Sequence, residues 1–395
     1  MILYAKRIVT PKGVIEGYIH IKDGKIVDIT DTCDEEFIDY RDQILMPGYI
    51  DIHTHGWATG SYWMEKTAKS IWDMQRHLPK CGVTSFLATT GTDSIDETFR
   101  YIEAANEAYA NQHEGAELLG IHMEGPFISK EFKGLQKEEH CLTPDVKLME
   151  QFYNAQTNKE MIKLMTLAPE LDHAKELIQF NCAHGIQNSI GHSGATFEDI
   201  KTLKNDGLGG VTHMFSGMRG FHHRELGVAG SALYFNDLMC EFAKQSGMTV
   251  KHEAFDIVYR LKGDNGVYLT TDCQGLAKTQ TPFHHYIRKE TFEPDGDMLK
   301  ITSDDGNVRI IDPNDYEAVK DIEIGYDTSV RNMLKHTPMN LVSLSKLTSL
   351  NPATYIHMDD VKGSIEIHKD ADIIVLDDEY HIIETYCKGN ASINL

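Results

Sequence analysis

The sequence predicts an α/β protein in which a (β/α)8 TIM barrel is joined to a small β-sandwich domain built from both ends of the chain. Three observations support this fold class. Both ends are rich in short β-like segments, eight apolar segments follow one another between them, and several connecting stretches carry helix signals. A chain of 395 residues is long enough for a barrel and a smaller domain.

Both ends of the chain consist of short apolar or alternating runs separated by turn residues, a pattern typical of strands. The predicted strands are Ile2–Val9, Val14–Ile21 and Lys25–Ile29 at the start, and Gly363–Ile367, Asp372–Leu376 and His381–Cys387 at the end. Neither group is large enough to bury a sheet by itself. We therefore expect residues 1–47 and 350–395 to pack together as one sandwich domain.

Residues 48–349 contain eight short apolar segments spaced by about 22 to 44 residues. They are Tyr49–His53, Thr84–Thr89, Leu118–Met123, Met161–Leu167, Gln187–Gly191, Gly210–His213, Leu238–Phe242 and Gly266–Thr271. Strands that alternate with helices imply a parallel sheet, and eight such units imply a closed barrel. Periodicity alone leaves an open, doubly wound sheet as the alternative.

Two connecting stretches show helix boundaries. Ser94, with an acidic residue three positions later, fits a capping box that opens a helix through about Ala110. Thr196 is suited to cap a helix over Phe197–Leu203, and Gly207 lies where a C-terminal glycine is expected. These signals place helices between strands, as the barrel requires.

The stretch from 278 to about 325 interrupts the alternation. It has turn-forming Pro294–Gly296 and Asp304–Gly306 between β-like runs. We interpret it as a β-rich insertion, a hairpin near the mouth of the barrel. The alternative interpretation is a surface insertion that has no role in the active site.

Composition limits the partners of this protein. The formal net charge of −22 disfavours nucleic acid and anionic membranes, because both require a basic face. No apolar run is long enough to cross a bilayer, and the first residues lack the apolar core of a secretory signal. The seven cysteines are scattered without a Cys-x-x-Cys motif, which favours reduced thiols. We expect a cytoplasmic protein that acts on a small molecule, with no nucleic-acid or membrane partner.

Potential metal ligands lie at the ends of several predicted barrel strands. His53 and His55 project from the same face of the first strand because they are two residues apart. Glu124, His192 and His213 end the third, fifth and sixth strands. The C-terminal ends of barrel strands converge on one mouth. Each residue alone is compatible with an ordinary polar position, but together they predict one or two divalent ions, namely zinc, iron or another first-row ion.

Asp272 ends the eighth predicted strand and is the candidate catalytic residue. A divalent ion lowers the pKa of a bound water from about 15.7 towards 7 and polarises a carbonyl. Hydrolysis of an amide also needs a group that takes a proton from water and gives one to the leaving nitrogen. A carboxylate at this position can do both. A helix N-cap following the strand is its alternative interpretation.

These motifs resemble those of the N-acetylglucosamine-6-phosphate deacetylases of the amidohydrolase superfamily, in the same order and over nearly the whole chain. The matching segments are Pro47–Gly56, Leu119–Phe127, Gly191–Thr196, Thr212–Phe215, Thr271–Asp272, Asn351–Ala353, Lys362–Glu366 and Ala371–Val375. The resemblance implies the fold predicted above and an enzyme that hydrolyses a carbon–nitrogen bond.

The resemblance also implies roles for individual residues. Glu124, His192 and His213 would hold the principal metal, and Glu124 would bridge to a second ion at His53 and His55. Asp272 would be the general base and acid. Arg224 matches an arginine that the family uses for the sugar phosphate, although without the family it is more typical of a solvated surface charge. We also expect a small amino-sugar substrate and a homodimer.

Four departures from the family motifs fall on substrate-recognition positions. Ser216-Gly217 stand where the family has Asn-Ala, and Gln136 and Thr249 stand where it has histidines. A Leu-Ala-Gly-Ser loop is not evident before Tyr326. None of these positions is a predicted metal ligand. The sequence therefore predicts intact hydrolytic machinery beside an altered sugar-phosphate pocket.

The leading hypothesis is removal of the N-acetyl group from an amino-sugar phosphate, in the first place N-acetylglucosamine-6-phosphate, giving acetate and the free amine. The nearest alternative keeps the chemistry and changes the substrate to another N-acyl sugar or another amide. A non-catalytic sugar-binding barrel is more remote, because a binding protein has no need of a proton shuttle at Asp272.

Overall fold

The computed structural model describes residues 1–243 and 247–394. In this part of the chain, eight parallel strands pair in sequence order to form one sheet. They are Tyr49–Thr54, Val83–Thr89, Glu117–Glu124, Ile162–Leu167, Gln187–Ile190, Leu208–Val211, Met239–Ala243 and Val267–Thr270. Backbone hydrogen bonds join the two ends of the sheet, because the Asp272 amide donates to the His53 carbonyl at 2.7 Å and the His55 amide to that of Cys273 at 2.8 Å. The barrel prediction is confirmed, and the open-sheet alternative is wrong.

Helices cover the outside of the barrel. Ala68–His77 shows why, since it begins at a Thr67 side-chain cap and turns Ile71 and Met74 inward. The α-helices within residues 1–243 and 247–394 are Tyr62–Glu65, Ala68–His77, Ile95–Ala110, Val146–Ala155, Ala174–Ala183, Phe197–Leu203, Gly227–Tyr234, His252–Lys262, Tyr316–Val319, Tyr326–His336, Leu341–Ser345 and Asn351–Tyr355. Among these residues, no helix combines the length and apolar character needed to span a bilayer.

Both predicted helix starts occur where the sequence places them. The Ser94 hydroxyl accepts the Glu97 amide at 3.3 Å, and the helix runs to Ala110. Thr196 caps Phe197–Leu203 in a complete capping box with Asp199 as its acidic member. Local side-chain chemistry is therefore sufficient to fix these two boundaries.

Strands from the two ends of the chain share one sheet in the described residues. Its strands are Ile2–Thr10, Gly13–Lys22, Lys25–Thr30, Ile38–Asp39, Ile44–Pro47, Ile373–Leu376, Ile382–Cys387 and Asn390–Ala391. The central pairing is antiparallel and joins Ile44–Pro47 to Ile373–Leu376. Leu3, Ile19 and Val375 are fully buried in the apolar layer beneath it. Burial of this layer requires strands from both ends.

Gly363–Ile367, predicted as a strand, is instead an irregular segment. Lys362, immediately before it, is buried and paired with Glu117 at 2.5 Å, Asp372 at 2.7 Å and Asp370 at 2.8 Å. A buried ammonium needs such partners. The backbone path that brings Lys362 to these carboxylates is not one that pairs with a neighbouring strand. Glu117 begins the third barrel strand, so this cluster also fastens the terminal sheet to the barrel.

The division into residues 1–47 with 350–395 and the barrel of 48–349 remains a proposal. Deleting residues 1–45 should remove the strands that cover Ile373–Leu376 and expose its apolar face and its edge, so we expect aggregation. Size-exclusion chromatography with light scattering measures this outcome. A truncated chain that stays monodisperse and active would contradict the shared domain.

The stretch predicted as a β-rich insertion at 278–325 contains an antiparallel sheet. Its strands, all within the described residues, are Phe283–His285, Glu290–Asp295, Met298–Ser303 and Val308–Ile311. The two predicted turns connect the second strand to the third and the third to the fourth. The first strand ends with His285 at the mouth of the barrel, close to the candidate active site.

Candidate active site

Five side chains from four barrel strands meet at the C-terminal mouth. The Glu124 carboxylate is their centre: its Oε1 lies 3.1 Å from Nε2 of His192 and 3.1 Å from Nε2 of His213. The same Oε1 lies 3.5 Å from Nε2 of His53, and Oε2 lies 3.4 Å from Nε2 of His55. All five residues are buried. They form two three-residue groups that share Glu124, and each could hold a metal ion.

The backbone turns sharply to aim three of the site residues. His192, His213 and Asp272 each follow a strand by two residues and have φ of 47°, 31° and 49°. This left-handed conformation is unusual for a side chain other than glycine and costs on the order of 1–3 kcal/mol at each position. It ends the strand and turns the side chain across the mouth. Such strain is concentrated at functional sites.

The donor set suits a divalent metal. Nε2 of His53 is a buried polar atom without a hydrogen-bond partner in the structure, although it faces the carboxylates of Glu124 and Asp272. Burial favours the neutral form of Glu124, but the charge of His192 and the hydrogen bonds from His192 and His213 outweigh it and hold the pKa of that carboxyl well below its usual value. An ionised carboxylate among imidazole nitrogens is a fitting set for a first-row ion.

The other ring nitrogen of each of the four histidines, Nδ1, has a polar contact, and this contact fixes the orientation of the ring. In three of them Nδ1 contacts a backbone carbonyl: His55 at 3.2 Å from Thr89, His192 at 2.9 Å from Phe132 and His213 at 3.1 Å from Ser216. Nε2 of each ring is thereby directed towards Glu124.

Asp272 lies beside this cluster, with Oδ1 3.4 Å from Nε2 of His55 and a side chain that is 24% exposed. Its neighbour Thr271 donates through its hydroxyl to the Asp51 carboxylate at 2.6 Å and through its amide at 3.2 Å. Burial raises the pKa of Asp51 to about 7 despite these hydrogen bonds. The first barrel strand therefore holds the eighth in register directly beside Asp272.

Two buried residues near the cluster escaped the sequence analysis. Glu241, in the seventh strand, accepts a hydrogen bond from Nδ1 of His53 at 2.7 Å. His122 packs edge-on against His53 and contacts the Thr166 hydroxyl at 2.8 Å. Burial lowers the pKa of His122 well below its ordinary value. The sequence feature that could have identified Glu241 and His122 is a titratable residue inside an otherwise apolar strand.

Comparison with known proteins agrees with this geometry. Residues 44–392 match the amidohydrolase family, and residues 2–44 match the composite domain of allantoinase. An N-acetylglucosamine-6-phosphate deacetylase of Bacillus subtilis is 32% identical over 392 residues, covering 97% of this chain and 94% of the relative. This chain belongs to the N-acetylglucosamine-6-phosphate deacetylase family of amidohydrolases.

Two further members extend the comparison. The crystal structure of an N-acetylglucosamine-6-phosphate deacetylase from Thermotoga maritima superposes with a TM-score of 0.80 at 28% identity and covers 99% of both chains. An N-acetylgalactosamine-6-phosphate deacetylase of Escherichia coli O157:H7 is 25% identical over 389 residues, 98% of each chain. Relatives of similar length therefore act on more than one amino sugar.

The predicted substrate residues of this deacetylase-family chain do not all lie together. Ser216, Gly217 and Thr249 line the same cavity as the candidate metal ligands. Gln136 lines it too, but its amide donates to Oε2 of Glu124 at 2.6 Å, so it is tied to the cluster of candidate ligands. Arg224 is exposed and is not among the residues that line the cavity of a single chain. Ser246, the first residue of the altered motif before Thr249, lies outside the described residues.

The insertion supplies part of the wall in this family member. His285, Tyr286 and Ile287, at the end of its first strand, line the same cavity as the metal ligands. The His285 side chain is buried, whereas Tyr286 is exposed at the mouth. Trp63 and Leu135 add apolar side chains to the same lining. A lining of apolar side chains with a few polar groups suits a small-molecule substrate.

Proposed function

We propose that this amidohydrolase removes the N-acetyl group from an amino-sugar phosphate, in the first place N-acetylglucosamine-6-phosphate. The observation that carries the proposal is the convergence of two ligand groups that share Glu124, with Asp272 beside them, at the mouth of the barrel. A binding barrel would have no need of a partly exposed carboxylate against this cluster. The family of C–N hydrolases supports the same reaction class.

One or two divalent first-row ions would be held by Glu124, His192 and His213, and by His53, His55 and Glu124. When bound, such an ion supplies a Lewis acid that polarises the amide carbonyl and acidifies water. The ligand rings are held by their outer nitrogens, so the chain presents its donors in fixed positions.

Asp272 would transfer the protons of the reaction. Its carboxylate takes a proton from the attacking water as the new carbon–oxygen bond forms. It then donates that proton to the sugar nitrogen as the carbon–nitrogen bond breaks, and the products are acetate and the free amine. Hydrogen bonds around Thr271 and Asp51 hold the carboxylate at the mouth for both transfers.

Metal content tests the ligand assignment. Replacing His53 and His55 together by alanine should lower the bound metal from up to two ions per chain towards one. The group of Glu124, His192 and His213 keeps all three of its ligands in this variant. Elemental analysis of the purified protein, together with circular dichroism for the fold, measures this. Active wild-type protein that contains no metal would exclude the proposal.

Substrate preference tests the altered pocket. The cavity has Gln136 and Thr249 where the family has histidines, and loss of a charged donor weakens the hold on a phosphate by about 1–3 kcal/mol. We therefore expect lower kcat/KM on N-acetylglucosamine-6-phosphate than a relative with intact motifs shows, and activity on another N-acyl sugar.

The assay compares N-acetylglucosamine and N-acetylgalactosamine, each with and without the 6-phosphate, in wild type and Arg224→Ala. A loss confined to the phosphorylated substrates in Arg224→Ala supports a phosphate contact. A higher kcat/KM on the unphosphorylated sugars, unaffected by Arg224→Ala, would support a changed substrate. Full family-level efficiency would contradict the weakened pocket.

We also propose that the protein is a cytoplasmic homodimer. Its cysteines are free thiols within the described residues, which is typical of a reducing compartment. Phe221 and Tyr234 are 62% and 65% exposed, and Phe221 lies over Gly230, one turn before Tyr234. Large exposed aromatic rings on the Gly227–Tyr234 helix and on the segment before it suit an interface with a second copy. Sedimentation equilibrium distinguishes a dimer from a monomer.

A further inference from the structure

Glu241 is a fully buried carboxylate in the middle of the seventh barrel strand, and it belongs to neither ligand group. Its Oε1 accepts hydrogen bonds from Nδ1 of His53 at 2.7 Å and from the backbone amide of His213 at 3.1 Å. Its Oε2 accepts the hydroxyl of Tyr268 at 3.2 Å. A buried carboxylate is costly unless it is paired in this way, so its presence requires a reason.

We propose that Glu241 is a positioning residue that sets up His53 as a metal ligand and thereby creates the second metal position. This inference rests on the proposed metal site. The carboxylate accepts Nδ1–H of His53, which fixes the tautomer and leaves the lone pair on Nε2. Nε2 is the atom that faces Glu124 at 3.5 Å and Asp272 at 3.6 Å, where a metal would bind.

His53 differs from the other ligand histidines in the partner of its outer nitrogen. The rings of His55, His192 and His213 contact backbone carbonyls, whereas His53 contacts a full negative charge. A carboxylate partner increases the basicity of an imidazole ligand more than a neutral carbonyl does. The position formed by His53, His55 and Glu124 should therefore depend on Glu241, and the position of His192 and His213 should depend on it far less.

The test is metal affinity, measured on purified full-length protein by elemental analysis and by competition with a chromophoric zinc chelator. Glu241→Ala removes the hydrogen bond and should weaken the second zinc by about 100-fold, while Glu241→Gln keeps an acceptor and loses only the charge, so about 10-fold is expected. The first zinc should stay bound in both. Circular dichroism and thermal unfolding confirm that each variant is folded.

Two controls separate positioning from general damage. Tyr268→Phe removes the hydrogen bond of the Tyr268 hydroxyl to Oε2 of Glu241 and keeps both contacts of Oε1, so it should leave both zinc affinities close to wild type. In a His53→Ala background, Glu241→Gln should produce no further loss, because the ligand it positions is already absent.

The outcomes are distinct. Wild type that binds two zinc ions, with both affinities unchanged in Glu241→Ala, overturns this inference and leaves the proposed function intact. Further loss in the His53→Ala background overturns it also, because the effect would then not pass through His53. Wild type that binds no zinc at the second position removes the inference together with the two-ion site.

Discussion

Asp272→Asn should lower kcat by about 10²–10⁴-fold, the range for loss of a general acid–base, and leave the metal content close to that of wild type. Asparagine keeps the shape of the side chain and its place beside His55, but it cannot take up a proton from water. The 24% exposure of Asp272 lets it reach a substrate, whereas the ligand carboxylate of Glu124 is almost completely covered. The proposal therefore assigns metal binding to Glu124 and proton transfer to Asp272.

Steady-state kinetics and elemental analysis on the same preparation measure both halves of this expectation. Asp96→Asn is a matched control, because Asp96 is an exposed carboxylate on the Ile95–Ala110 helix and is not among the residues that line the cavity. It should retain full turnover. If Asp272→Asn turns over at the wild-type rate, the proton shuttle is a different group, and if it loses its metal, Asp272 is primarily a ligand.

Much of the barrel could be predicted because its signals are local. Each of the eight predicted strands overlaps an observed one, since a strand buried on both faces is a short apolar run between polar turns. The convergence of the candidate ligands could be predicted for a related reason: His53, Glu124 and His213 are polar residues at strand ends, and barrel topology brings strand ends together. Thr196 also illustrates this, because its helix cap depends on residues three positions apart.

What the sequence did not predict depends on contacts between distant segments. Gly363–Ile367 has an alternating pattern, but the buried ion pairs of Lys362 with Glu117, Asp370 and Asp372 decide its path. Glu241 is 188 positions from His53, and no local pattern relates the two residues. Assembly in three dimensions determines such pairs.

The substrate pocket was hard to predict for a different reason. A motif shows which residues replace family positions, but it does not show what they contact. Gln136 is the example: its side chain links the Thr92 amide at 2.8 Å to Glu124 at 2.6 Å, so it is part of the support of the metal cluster. Its altered identity therefore affects Glu124 as much as a substrate. The insertion residues His285 and Tyr286 enter the wall through tertiary placement alone.

Glu124→Ala should remove both metal ions and reduce kcat/KM by more than Asp272→Asn does. Glu124 is the residue common to the two ligand groups, and its carboxylate lies within 3.5 Å of the Nε2 atom of every ligand histidine. Without it, the four imidazoles lose the carboxylate that they share, and Asp272 at the edge of the cluster offsets less of the charge of a buried divalent ion. The metal content should fall below that of the His53→Ala, His55→Ala double variant.

Conservative changes at Glu124 separate charge from shape. Glu124→Asp keeps the charge on a shorter side chain, and Glu124→Gln keeps the length without the charge. The negative charge of the ligand contributes most to the binding of a cation. Bound metal should therefore decrease in the order wild type, Glu124→Asp, Glu124→Gln, Glu124→Ala, and activity should follow the same order. Elemental analysis, chelator competition and kcat/KM on one set of preparations measure it. A Glu124→Ala protein that retains two ions would show that the four histidines suffice, and the shared carboxylate would then not be the centre of the site.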